Sequence, residues 1–251
     1  MNQKSNLIYE LKGLKKSFNN HSVLNIGKLQ FHKGTVYGIV GSVGSGKSTL
    51  IKIMAGLIKE SEGTLLYNNT TFETNWLGKV KFNKEIVFSN LNEPLGVGKV
   101  SNLFNEKPAE RIFANYSTKI RWKLLIDRAS TDLSKGEIAL LKLAMAIDSD
   151  PRVLLIDDYG IHFDKDLEIE FRKRIIQMNK NHGTTIILCS PHDQHLKFMA
   201  SVLIYLDNGH ISKIRPGVCK NSLNKPHQAK KHQKQGNPKK KNRWQKSGRS
   251  K

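Results

Sequence analysis

A chain of 251 residues with 38% apolar side chains can bury a sizeable core, and its formal charge of +21, from 42 Lys and Arg against 21 Asp and Glu, makes it strongly basic. Its two cysteines, Cys189 and Cys219, have neither metal-ligand nor disulfide-framework spacing, so a stapled secreted domain is excluded and a reducing cytosol is expected. Met1–Glu10 holds no apolar signal core and no run approaches about eighteen uninterrupted apolar residues, so nothing here is expected to span a membrane alone.

Leu7–Phe18 and Val23–Phe31 alternate apolar and polar residues, which predicts two antiparallel strands. Lys33-Gly34 then turns the chain into a short buried strand, Thr35–Val40. It is followed by Gly41-Ser42-Val43-Gly44-Ser45-Gly46-Lys47-Ser48, the pattern G-x-x-x-x-G-K-[ST], and by an apolar helix from Thr49 to Leu57. Glycines let successive N–H groups turn toward phosphate oxygens, and the helix N-terminus adds partial positive charge. Lys47 supplies a point charge to the β- and γ-phosphates, and the Ser48 hydroxyl is a Mg²⁺ ligand. Gly41 through Ser48, with Thr49 beside them, are the expected nucleotide contacts.

Gly63–Tyr67 and Ile86–Ser89 are two further predicted strands, and residues 90–150 carry mostly helical patterns. Within that stretch, Leu133-Ser134-Lys135-Gly136-Glu137 precedes an apolar helix. Ser134 and Glu137 form a capping box, which by itself only starts a helix, although a capped N-terminus is also a phosphate site. Arg152–Asp158 is an apolar run ending in two carboxylates, expected as a central parallel strand. Asp157 at its C-terminal end would lie beside the phosphate loop and hold Mg²⁺. Asp158 would face the γ-phosphate and polarise a water. A helix over 165–180, a strand over Thr185–Cys189, a short helix near 193–199 and a hairpin of strands near 202–206 and 210–214, turning at Asp207-Asn208-Gly209, complete the folded part. The fold class is α/β, and no internal repeat is present.

Residues 216–251 differ in kind. They hold twelve Lys or Arg and no acid, and are expected to form a basic disordered tail. Three readings stay open for it: a solvated tail, a nucleic-acid arm with Trp244 for base stacking, or a tether to anionic lipid. His227 and His232 within it are expected to be solvent-exposed.

A phosphate loop with an acidic strand end also fits kinases, GTPases and motors. The stretch Leu133–Glu137, placed 23 residues ahead of the acidic strand end, discriminates: it resembles the L-S-G-G-Q signature of the ATP-binding cassette family. Phe18, where that family stacks an aromatic on adenine, Asp164 after the acidic strand, and His192, where it places a switch histidine, follow in family order. Each alone has a blander reading, as a core aromatic, a helix N-cap and a loop histidine. The resemblance spans about residues 6 to 214, and makes 1–215 a P-loop NTPase of cassette type with an N-terminal antiparallel β subdomain and a helical subdomain over about 90–150.

The resemblance implies an ATPase using ATP and Mg²⁺, with Lys47, Asp158 and His192 in catalysis. Ser134 and Gly136 would cap the nucleotide of a second cassette subunit in a head-to-tail dimer, either a homo- or a heterodimer. It also implies membrane permease partners and a peripheral position at the cytoplasmic face of the membrane. A soluble ATP-dependent switch acting on nucleic acid or ribosomes through the tail, and a degenerate regulatory partner in a heterodimer, are the alternatives. Three positions depart from the family. Asp158 stands where Glu is usual and is one methylene shorter. Ser89 or Asn90 stands where Gln is usual, and Ser89, taken as the candidate metal ligand, would reach the metal only through water. Lys135 replaces the first signature glycine. Slow hydrolysis with binding retained is the expected outcome.

Overall fold

The computed structural model describes residues 6–103 and 123–218. The basic stretch from residue 219 onward, and residues 104–122 of the expected helical subdomain, lie outside the described residues.

Two sheets organise the fold. The first is antiparallel, in the order β2-β1-β4, from β1 (Leu7–Phe18), β2 (His21–His32) and β4 (Glu62–Tyr67). The second has six strands in the order β5-β6-β7-β3-β8-β9: β3 (Val36–Val40), β5 (Ile86–Asn90), β6 (Val153–Asp157), β7 (Thr185–Ser190), β8 (Val202–Asp207) and β9 (His210–Pro216). All neighbours in it are parallel except β9, which returns as a hairpin on β8. The central strands β3, β6 and β7 are buried at every residue, as expected for parallel strands covered on both faces. The edge strand β9 is largely exposed and carries Lys213 and Arg215, which discourages further strand pairing.

Alternation along β6 divides the core. Val153 and Leu155 pack with Leu50 and Ile51 of helix α1 (Lys47–Met54) and with the antiparallel sheet. Leu154 and Ile156 pack with Leu143 of helix α3 (Lys135–Asp148) and Phe171 of helix α4 (Lys165–His182). A short helix α2 (Lys123–Ile126) and two 3₁₀ turns precede α3.

Several expectations are corrected. Helix α1 stops at Met54 rather than Leu57, because Gly56 turns left-handed (φ +72°) and the N–H groups of Gly56 and Leu57 close back onto Ile53 and Lys52, leaving Leu57 exposed. The stretch after Asn90 is turn rather than helix, since Pro94, Gly96 and Gly98 interrupt it; among the described residues the helical pattern is realised chiefly in α3. No helix forms over 193–199. Two successive tight turns, closed on the carbonyls of Asp193 and Leu196, carry Leu196, Met199 and Ala200 into the core instead. The folded body also runs past residue 215: Pro216 pairs with Val202, and the N–H groups of Gly217 and Val218 bond to Ser201 and Lys197.

Candidate nucleotide site

The loop 41–46 leaves the C-terminal end of β3 and enters α1. Gly41 N–H donates to Ser190 O at 3.4 Å, tying the loop to the end of β7, and Gly209 N–H donates to Ser45 O at 3.1 Å, tying it to the β8–β9 turn. Gly44 (φ +83°) and Gly46 (φ +100°) hold left-handed backbone that side chains disfavour. Gly46 is also packed: a Cβ there would meet Leu24 Cδ2 at 2.7 Å and Val23 O at 3.0 Å. The α1 N-terminus has no side-chain cap, so its first N–H groups remain for an outside acceptor. Lys47 is buried, and its Nζ donates to Gly41 O at 2.7 Å and Ser42 O at 2.8 Å. The loop therefore fixes its own cation at its mouth.

Asp157, at the end of β6, is fully buried. Its Oδ1 accepts the N–H of Asp158 at 3.1 Å, while its Oδ2 has no hydrogen-bond partner. Burial raises the Asp157 carboxyl above its usual range; the Ser48 hydroxyl opposes this, and the neighbouring Asp158 charge adds to it. An orphaned buried carboxylate oxygen is costly unless a cation or ordered water meets it. With Ser48 beside it, the donor set is hard oxygen, which fits Mg²⁺.

Asp158 is half-buried and adopts φ +58°. The next residue, Tyr159, is fully buried and donates its N–H to Cys189 O at 2.8 Å, which pins the turn against β7. Exposed His192 lies two residues beyond Ser190, whose carbonyl receives Gly41, so its segment borders the loop. Phe18 is 46% exposed at the end of the hairpin whose Val23 and Leu24 pack on Gly46, with Lys16 Nζ 4.8 Å from its ring centroid.

Register separates the two candidates on β5. Ser89 lies opposite Ile156, and Asn90 lies opposite Asp157. The Asn90 side chain is committed to the following turn, accepting from Asn92 N–H at 2.9 Å and donating to Glu93 Oε1 at 3.2 Å.

Ser134 caps α3: its Oγ accepts Glu137 N–H at 3.3 Å, and Glu137 Oε2 accepts Ser134 N–H at 2.7 Å. Burial favours a neutral Glu137, but the Ser134 hydrogen bonds and the Arg128 guanidinium, 2.8 Å away, outweigh it and hold the carboxyl below its usual range. Asp164 caps α4, accepting Leu167 N–H at 2.8 Å. Ser134, Gly136, His162 and Asp164 line one groove of about 850 Å³ between α3 and α4, and no residue of the loop 41–49 lines it. The structure thus gathers Gly41–Thr49 with Asp157 and Asp158, and gathers Ser134 and Gly136 elsewhere. In sequence, Lys142 shows only as a cation inside the apolar run Leu140–Leu143, a signal that assigns it no role.

A phosphate loop between β3 and α1, an acidic end on the strand two places away in a parallel sheet, and a capped helix on a separate flank define a P-loop NTPase. The model of the family described as ABC transporter matches residues 24–159. The chain belongs to that family and carries its ATP-binding cassette. It is 26% identical over 210 residues to the tungstate uptake system ATP-binding protein TupC of Peptoclostridium acidaminophilum, covering 81% of this chain and 96% of that protein. Its fold matches cbiO1 of Clostridium perfringens, part of the ABC transporter complex cbiONQ, with TM-score 0.68 at 21% identity, covering 84% of this chain and 89% of that one. It also matches the dimeric ATP-binding cassette MJ0796 in a post-hydrolysis state bound to ADP and Pi, with TM-score 0.65 at 18% identity, covering 83% and 98%.

Proposed function

We propose that this chain is the ATP-hydrolysing subunit of a membrane transporter, working as a head-to-tail dimer beside permease subunits at the cytoplasmic face of the membrane. The observation that carries the reading is the orphaned Asp157 Oδ2, buried beside Ser48 at the mouth of an uncapped phosphate loop.

In this reading the α1 N-terminus and Lys47 bind the β- and γ-phosphates, exchanging the Gly41 and Ser42 carbonyls for phosphate oxygens. Phe18 stacks on the base. Ser48 and Asp157 would hold Mg²⁺, which when bound would neutralise charge on the phosphate oxygens; Ser89, in register with Ile156 rather than Asp157, is set on the other face of β5 and is not a metal ligand. Asp158 accepts a proton from the attacking water as the bond to the γ-phosphorus forms and the bond to the leaving ADP oxygen breaks. His192 contacts the γ-phosphate. Ser134 and Gly136 serve the nucleotide of a second cassette, a reading supported by their separation from this chain's own loop. The short Asp158 carboxylate makes turnover slow.

Steady-state phosphate release from Mg-ATP, with light scattering to follow dimer formation, tests this. Retained binding, ATP-dependent dimers and turnover well below the ~10 s⁻¹ of a median enzyme are expected. A chain that fails to bind Mg-ATP overturns the reading, and ordinary turnover overturns the slow-site part of it.

A further inference from the structure

Lys142 lies on α3 between the buried residues Leu141 and Leu143, where a cation is out of place unless it has a task. Its Nζ donates to the backbone carbonyl of Asn90 at 2.9 Å. Burial lowers the affinity of the Lys142 amine for its proton, and nearby Glu93 opposes this, so the ammonium is drawn partly out of water by the contact.

The carbonyl it holds is well placed. Asn90 ends β5 in register with Asp157, and the next N–H, that of Leu91, donates to Asp157 O at 3.2 Å. From there the Asn90–Glu93 turn touches the nucleotide site on two more sides. Glu93 Oε1 lies 3.6 Å from Lys52 Nζ on α1, the helix that the phosphate loop enters. Asn92 Oδ1 lies 3.0 Å from His162 Nε2, on the loop that follows Asp158. One four-residue turn therefore joins the phosphate-loop helix, the strand end bearing Asp157, the loop after Asp158 and the helix capped by Ser134. Lys142 is its link to that last helix.

We propose that Lys142 is a positioning residue for hydrolysis: it fixes the Asn90–Glu93 turn so that the placement of α3 is transmitted to Asp157 and to the loop carrying Asp158. The inference rests on the hydrolytic reading above. It predicts an effect on the chemical step, because Lys142 reaches no nucleotide contact itself, and small displacements of reacting groups cost rate far more than binding.

The test uses the full chain and Mg-ATP, with kcat, ATP affinity and Tm measured for Lys142→Met, Lys142→Arg, Glu93→Gln and the Met/Gln double variant. Lys142→Met keeps the stem but removes the donor; kcat is expected to fall about tenfold or more, with ATP affinity within about twofold. Lys142→Arg, which retains a donor, recovers most of the rate. The double variant falls no further than Lys142→Met, because both changes act through one turn. Unchanged kcat in Lys142→Met, or rate and affinity falling together in step with Tm, overturns the strut. If Lys142→Met does not fold, Glu93→Gln on the exposed side of the turn decides: a severalfold loss of kcat at constant affinity supports the proposal, and unchanged kcat overturns it. A wild-type chain that binds Mg-ATP without turnover overturns the hydrolytic reading and this inference with it, whereas wild-type turnover that survives every substitution overturns this inference alone.

Discussion

Asp158 donates its backbone N–H to Asp157 Oδ1 at 3.1 Å, so the oxygen that shapes the turn and the oxygen left for a ligand belong to the same carboxylate. This divides the labour within Asp157. Oδ1 is structural, helping to hold Asp158 at φ +58°, and Oδ2 is buried with nothing to meet. A neutral isostere should keep the first role and replace the buried charge of the second by a neutral amide, which costs less to bury.

Asp157→Asn is therefore expected to stabilise the nucleotide-free chain while weakening Mg-ATP binding at least tenfold. The raised carboxyl pKa gives the sign. The folded chain holds this proton to higher pH than the unfolded chain, so the contribution to stability is full below the usual Asp range and is lost as pH rises through the raised value. Asparagine cannot lose it. Thermal melts should show a gain on the order of 1 kcal/mol at neutral pH, or roughly 2–4 °C in a domain of this size, shrinking as pH approaches the ordinary Asp range. A lower melting temperature for the variant at neutral pH would contradict the account.

Asp158 is the position where length should control rate. Extending it by one methylene, in Asp158→Glu, is expected to raise kcat on the order of tenfold at unchanged ATP affinity, since misplacement near 1 Å can cost as much as a hundredfold. Asp158→Asn should bind Mg-ATP normally and show no turnover above background. Steady-state phosphate release separates the outcomes, and a glutamate variant no faster than wild type would show that reach is not what limits the site.

Ser134 offers a prediction about stability alone. Its hydroxyl and the Glu137 carboxylate satisfy each other's backbone donors, and Arg128 completes the set at 2.8 Å. Ser134→Ala should cost about 1 kcal/mol in denaturant melts. The lowered Glu137 carboxyl adds a pH signature. Its contribution is present above the usual Glu range and lost as pH falls through the depressed value, so the penalty of Ser134→Ala should narrow in acid. A penalty independent of pH would mean that Glu137 is not stabilised through this cap.

What could be read from the chain alone was local. The phosphate loop, the S-x-x-E box and the apolar run into Asp157 each place their chemistry within a few residues, so short-range rules reach them. The contacts that close the site do not obey such rules. Lys142 and Asn90 are 52 residues apart, and Asn90 faces Asp157 only because β5 and β6 pair in one particular register. Nothing in the order Ser89-Asn90 tells which one lies opposite the acid, since a shift of one residue exchanges the two faces of a strand. The segment 193–199 failed for a related reason. Its pattern permits a helix, but Leu196 must pack against Gly38, where a Cβ would sit 3.1 Å away, and that tertiary demand is met by turns.

The phosphate loop itself supplies the sharpest comparison, because two of its glycines share one conformation and differ in surroundings. Gly44 and Gly46 both have positive φ, so alanine at either pays a left-handed backbone penalty of roughly 1–2 kcal/mol. Space then separates them: a Cβ on Gly44 meets nothing within 4 Å, whereas one on Gly46 meets Leu24 Cδ2 at 2.7 Å and the Val23 carbonyl at 3.0 Å. Leu24 is a flexible side chain and can yield, but Val23 O is backbone of β2 and cannot move without disturbing the hairpin that carries Phe18. Gly46→Ala should therefore lose more stability than Gly44→Ala, by about 1–3 kcal/mol of overpacking, and should also weaken ATP binding the more of the two, since the α1 N-terminus is displaced with it. Melts and nucleotide titration of the two variants, side by side, check both halves. Equal losses at the two positions would mean that backbone conformation alone, and not the packing of β2 against the loop, holds the phosphate-binding geometry in place.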